Sequence, residues 1–216
     1  MKLYSGPLSM FGAKAEIAAH EKGMAIEIEH VPFSLGDLYE PKHPDVLRIN
    51  PKAQVPVLID GDLELYDSTQ IFEYFEDTRP SPPLWPSYPR DRARARLLEL
   101  QSDEVFFPLV TLLMPKQRAA AGEAAVEDGI RRLHEYYDRM EKLVATRDYL
   151  VSVFSYADIA FYMAQFFATF LGEPWREGHP KLDAWKKRVG RRRSVSNVAG
   201  KMSAYLTSLG IPGPEV

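Results

Sequence analysis

Asp67-Ser68-Thr69-Gln70 stands at the head of a run in which Ile71, Phe72 and Phe75 recur with helical spacing. An acid and a hydroxyl at that position can cap the helix by accepting from its unpaired amides. The same groups can instead hold a small ligand. Free amides beside Ser68 suit a carboxylate, and Asp67 suits an ammonium group. Upstream, Pro56 directly precedes the apolar Val57-Leu58-Ile59. Proline cannot donate to a sheet ladder, so it marks a strand start, an edge or a special turn.

Other chemistries are excluded. The chain of 216 residues has no cysteine, which rules out disulfides, thiolate metal sites and a cysteine nucleophile. His20, His30, His43, His134 and His179 show no ligand spacing, so no metal is expected. Neither a glycine-rich phosphate loop nor a serine-hydrolase elbow is present. The net charge of −3 gives no general attraction to nucleic acid or anionic membrane. Lys14 and Glu16 break any apolar signal core, and no stretch approaches the ~20 apolar residues of a membrane span. These features read as a cytoplasmic protein with neither nucleic acid nor membrane as partner.

The elements that must position these residues follow from pattern. Lys2-Leu3-Tyr4 reads as a strand, Met10 to Lys22 as a helix stopped by Gly23, and Ile26 to Val31 as a second strand. Residues 34 to 51 read as a loop with a short helix near Asp45–Ile49. Val57–Ile59 and Leu63–Leu65 flank Asp60-Gly61-Asp62, a hairpin signal, and a helix starts after Asp67. Prolines then punctuate a linker. Helices follow over Arg92–Met114, kinked at Pro108, Glu123–Ala145, Ser155–Leu171, Lys181–Val189 and Ser194–Ser208. Ser155-x-x-Asp158 is a capping-box variant. The domains are expected at 1–78 and 92–216, with 79–91 as the linker.

Together these residues resemble the cytosolic glutathione S-transferase family, of the bacterial serine type. The matches are Asn50-Pro51-x-x-x-Val55-Pro56-x-Leu58, Asp67-Ser68, the Pro83-Leu84-x-Pro86 linker and Ser155-x-Ala157-Asp158. Ala53 stands where the family usually has glycine, and Ser152 where glycine often precedes the capping box. The resemblance implies an α/β N-terminal thioredoxin-like domain (βαβ-ββα) followed by an all-α C-terminal helical domain. It also implies a structural cis-proline at Pro56. The main chain of Val55 is then left free to pair with an extended peptide.

For this family the peptide is glutathione, a co-substrate. Val55 would pair with its cysteinyl unit, Lys42 and Gln54 would sit near its glycine end or backbone, and Asp67 and Ser68 would hold the γ-glutamyl end. Activating the thiol by ~2 pKa units requires about 3 kcal/mol of selective thiolate stabilisation. Counted back from Gly23, Ser9 falls where serine-type classes place the activating hydroxyl, with Tyr4 and Ser5 as alternatives. Without cysteine, mixed-disulfide reactions are closed. What remains is conjugation of glutathione to a small hydrophobic electrophile, a detoxification chemistry, by an enzyme implied to be a homodimer. The electrophile pocket would involve Met10, Phe11, Phe106, Phe107 and Leu109. The alternative is a non-catalytic protein-interaction module like the RNA-polymerase-associated stringent starvation proteins. The basic run Lys186–Arg193 reads as a helix C-terminus rather than a nucleic-acid patch.

Overall fold

Leu3 and Tyr4 point to opposite faces of a strand, and both are buried, so the strand lies inside a two-sided sheet. The computed structural model describes residues 1–40 and 42–216. Strand β1 (Lys2–Ser5) leads through a turn into α1 (Met10–Glu21), and β2 (Glu27–His30) pairs parallel to β1. A short α2 (Pro44–Ile49) follows. Strands β3 (Val57–Asp60) and β4 (Leu63–Tyr66) form an antiparallel hairpin whose Gly61 has φ 63°. The sheet order is β2-β1-β3-β4.

Helices α1 and α3 (Ser68–Thr78) pack against each other. Small Ala15, Ala18 and Ala19 let α1 approach closely, while α3 buries Ile71, Phe72 and Phe75. The other sheet face buries Tyr4, Val31, Val46 and Val57, with Tyr39, Ile49 and Val55 packed at its margin. This order of elements is the thioredoxin-like arrangement.

Buried Lys22 closes the far end of α1. Its ammonium reaches Glu76 at 2.5 Å and the carbonyls of Arg79 and Pro82 at 2.8 and 3.1 Å. The Ser81–Pro82 peptide there is cis.

By contact the chain forms two compact units. The first is Met1–Leu84 with Ser194–Ile211, and the second is Trp85–Arg193 with Pro212–Val216. The last helix, α10 (Arg193–Ser208), thus packs almost wholly with the sheet unit, where Tyr205 donates to the Phe33 carbonyl at 3.2 Å.

The second unit is entirely helical among its described elements: α4 (Pro89–Gln101), α5 (Phe107–Thr111), α6 (Pro115–Ala121), α7 (Glu123–Leu143), α8 (Tyr156–Phe170) and α9 (Pro180–Gly190). Between α4 and α5 runs a π-helical turn, Ser102–Phe106. Pro108 cannot donate to a carbonyl four residues back, and the wider turn just before it absorbs the misfit. The distortion therefore precedes Pro108 instead of kinking the helix at it. Helix α6 was not expected from periodicity.

Candidate functional site

Strand register brings distant sequence together. Tyr4 pairs with Val57, and Val57 pairs with Tyr66. One residue beyond these pairings lie Ser5, Pro56 and Asp67. The Ser5–Ser9 turn, the Val55–Pro56 segment and the start of α3 therefore gather at one end of the sheet.

The Val55–Pro56 peptide is cis. Because β3 starts at Val57, the main chain of Val55 lies outside the ladder. Asn50 organises the approach: its side chain accepts from the Lys52 amide at 2.9 Å and donates to the Gln54 carbonyl at 2.5 Å. Ala53 takes φ 52°, the left-handed region where glycine is favoured. The backbone glycine would serve is thus adopted by alanine. Gln54 is exposed and Val55 half-buried.

Asp67 sits at φ 76° and ψ 128°. A non-glycine residue held there costs on the order of 1–3 kcal/mol, which marks the position as over-determined by its surroundings. Its carboxylate accepts from the amides of Thr69 and Gln70 at 3.0 and 3.2 Å, capping α3. Ser68 is buried and Asp67 exposed. Lys42, in the loop before α2, lies 3.3 Å from Glu40 and 5.8 Å from the centre of the Tyr39 ring.

Three hydroxyls line β1 and its turn, and they have different partners. Tyr4 donates to Asp45 at 2.7 Å. That bond, aided by burial, raises the phenol's pKa, and with Arg48 it holds the Asp45 carboxyl below its usual range. Ser5 donates to buried Glu16 at 2.5 Å, and Glu16 also meets His30 at 2.9 Å. Ser9 caps α1 by accepting from the Gly12 amide at 3.0 Å.

A residue missed in the sequence also touches this turn. Tyr39 accepts from the Leu8 amide at 3.1 Å and lies directly over Gly6. Burial pushes its phenol well above the ordinary value. No local spacing links positions 8 and 39, so only the fold reveals it.

Ser155 and Asp158 lie in the second unit, at the start of α8. Asp158 accepts from the Ser155 amide and hydroxyl at 2.9 and 3.1 Å, from the Leu150 amide at 3.0 Å and from Trp185 at 2.9 Å. Burial pushes its carboxyl up to about 6 against these four donors. Phe106, expected at an electrophile pocket, is wholly buried among Tyr136, Tyr137 and Phe161. An aromatic at that spacing serves the helical core. In the basic run, Arg188 pairs with Asp148 at 2.9 Å and Arg192 stacks 3.8 Å over Phe154.

Among the described residues no cluster of metal-binding side chains occurs, and no helix is long and apolar enough to cross a membrane.

Comparison with known proteins agrees with this architecture. Residues 3–83 match the glutathione S-transferase N-terminal domain, and residues 103–192 match the glutathione S-transferase C-terminal domain. The chain belongs to the glutathione S-transferase fold superfamily. A stringent starvation protein A homolog of Coxiella burnetii is 37% identical over 122 residues, 54% of each chain. The matched part thus spans about half of that relative. A stringent starvation protein A homolog of Pasteurella multocida is 28% identical over 222 aligned positions, covering 100% of this chain and 92% of its own. The crystal structure of a glutathione S-transferase from Rhodospirillum rubrum superposes with a TM-score of 0.78 at 26% identity, covering 99% of this chain and 96% of that one.

Proposed function

We propose that the first unit binds glutathione at the sheet end described above, and that the chain serves as a protein-interaction module of the stringent starvation protein A kind. The whole-chain alignment with a protein of that name carries the second half of this reading. The first half rests on the juxtaposition of Val55, Asp67 and Ser68, with Lys42 and Gln54 toward the glycine end. The extended tripeptide would pair with the unladdered Val55 main chain. Its γ-glutamyl carboxylate would meet the α3 N-terminus, and its ammonium would meet Asp67. The working form in this reading is a cytoplasmic homodimer.

A second reading is favoured by one observation. Tyr4 and Ser5 donate to carboxylates, whereas among the described residues Ser9 has only an amide donor facing it. A hydroxyl with its proton available at a helix N-terminus can stabilise a thiolate. On that reading the chain is a glutathione transferase, conjugating bound glutathione to a small hydrophobic electrophile.

Calorimetry with glutathione, followed by turnover assays with aryl halides, epoxides and organic hydroperoxides, separates these readings. Binding without turnover supports the interaction module. Turnover that falls ~10²–10³-fold in Ser9→Ala assigns a transferase. Absence of glutathione binding overturns the site itself.

A further inference from the structure

We propose that Tyr39 is a positioning residue for Ser9, fixing the Ser5–Ser9 turn through the Leu8 amide and tying that turn to Lys42. This inference rests on the second reading above, in which Ser9 meets the thiol of bound glutathione.

The contact is built from both sides. A Cβ on Gly6 would fall 2.5 Å from the Tyr39 hydroxyl oxygen and 2.6 and 2.8 Å from two ring carbons. Only a residue without a side chain permits that approach, so Gly6 serves here as a seat for the phenol. From the seat the phenol oxygen accepts from the Leu8 amide at 3.1 Å, immediately before Ser9. The Ser9 amide in turn donates to the Gly6 carbonyl at 3.2 Å. Gly6, Leu8 and Ser9 are thereby fixed as one turn, and the orientation of the Ser9 hydroxyl follows from it.

The ring is held independently of its hydroxyl. Phe33 meets it edge-on at 4.9 Å between centroids, and Tyr205 of α10 packs on Phe33 at 6.2 Å. The Lys42 ammonium lies 5.8 Å from the ring centre. Residues proposed for the thiol and for the glycine end of the tripeptide, Ser9 and Lys42, thus share one aromatic support. An amide bonded to a half-buried phenol exchanges more slowly than a free one and keeps a narrower range of orientations. A donor must be so held to stabilise a thiolate without reorganisation.

Tyr39→Phe removes the hydroxyl and keeps the ring, while Gly6→Ala displaces the phenol without altering it. Two readouts apply to the full chain. The first is hydrogen exchange of the Leu8 amide in the free protein. The second is the pH titration of thiolate ultraviolet absorbance with glutathione bound. Tyr39→Phe is expected to speed Leu8 exchange by about tenfold, the equivalent of one net hydrogen bond. It should also raise the bound thiol pKa by roughly 0.5–1 unit, part of the Ser9→Ala effect, while glutathione affinity changes less than about threefold. Gly6→Ala should move both readouts in the same direction. Unchanged Leu8 exchange in Tyr39→Phe, or an unchanged thiol titration where Ser9→Ala shifts it, overturns the assignment. If the wild type binds no glutathione, the functional reading falls separately, and Leu8 exchange alone decides whether Tyr39 holds the turn.

Discussion

Two helix N-termini use the same residue types in opposite settings. At α8, Asp158 is wholly buried and both its oxygens are saturated by four donors from Ser155, Leu150 and Trp185. At α3, Asp67 is exposed, caps two amides and sits on strained backbone at φ 76°. The first arrangement leaves no capacity for a ligand. The second keeps a carboxylate open to solvent in a conformation that capping does not require, since an N-cap normally has extended backbone. Acid plus hydroxyl at a helix start is therefore ambiguous by type alone, and burial separates a sealed pair from an open one.

The largest effect should come from the sealed site. In Asp158→Asn an amide group replaces one oxygen: turned toward Leu150 and Trp185 it opposes two donors, and turned toward Ser155 it opposes the Ser155 amide while the hydroxyl can rotate to accept, so at least one hydrogen bond is lost inside a fully buried site. A cost of ~3 kcal/mol or more is expected, the scale for breaking a buried polar network. Chemical denaturation would measure it. Glutathione affinity of the folded fraction should be unaltered. A loss below ~1 kcal/mol would show that the network contributes little.

The open site should respond the other way. In the proposed glutathione site, Asp67→Ala would remove a charge partner worth ~1.5–3 kcal/mol to an ammonium, and a ten- to hundredfold loss of glutathione affinity is expected. Stability should fall by only ~1 kcal/mol, the value of a cap. Calorimetry showing unchanged affinity would make Asp67 a cap like Asp158 and dissolve the contrast.

The local elements were legible because their signals are local. Gly23 at φ 59° ends α1, Gly61 at φ 63° turns the hairpin, and α3 buries the Ile71, Phe72 and Phe75 stripe. What escaped depends on contacts between distant positions. Nothing near Tyr39 announces the Leu8 amide or the Gly6 seat. The periodicity of α10 identifies a helix but not the unit it joins, which Tyr205 and Phe33 decide. Phe106 has the spacing of either a pocket wall or a core residue, and only its ring neighbours distinguish them. The motifs that gather at this end of the sheet were readable in the sequence. The partners that separate Ser9 from Tyr4 and Ser5 were not.

The smallest expected effect sits between the two extremes of burial. Glu16 is buried like Asp158, but its partner His30 keeps a side-chain exposure of 39%. The bond to Glu16 raises the His30 pKa, opposed by burial and by Lys201 of α10. Ser5 shares the same Glu16 oxygen, and among the described residues no other group bonds to the imidazole. A histidine whose folded pKa lies above its unfolded value binds its proton more tightly when folded. Its stabilisation is complete below about pH 6.5 and is lost as the pH rises through the folded pKa. Partial exposure screens the pair, so the effect should be a fraction of that at Asp158. His30→Ala should lose more stability relative to wild type at about pH 6 than at about pH 8. Because Ser5 adjoins the turn that carries Ser9, the same variant tests whether charge on His30 is felt at the site. Thermal unfolding of both proteins across that range measures the difference. Parallel curves, with the same gap at both ends, would show that the Glu16–His30 pair gives the fold no pH dependence.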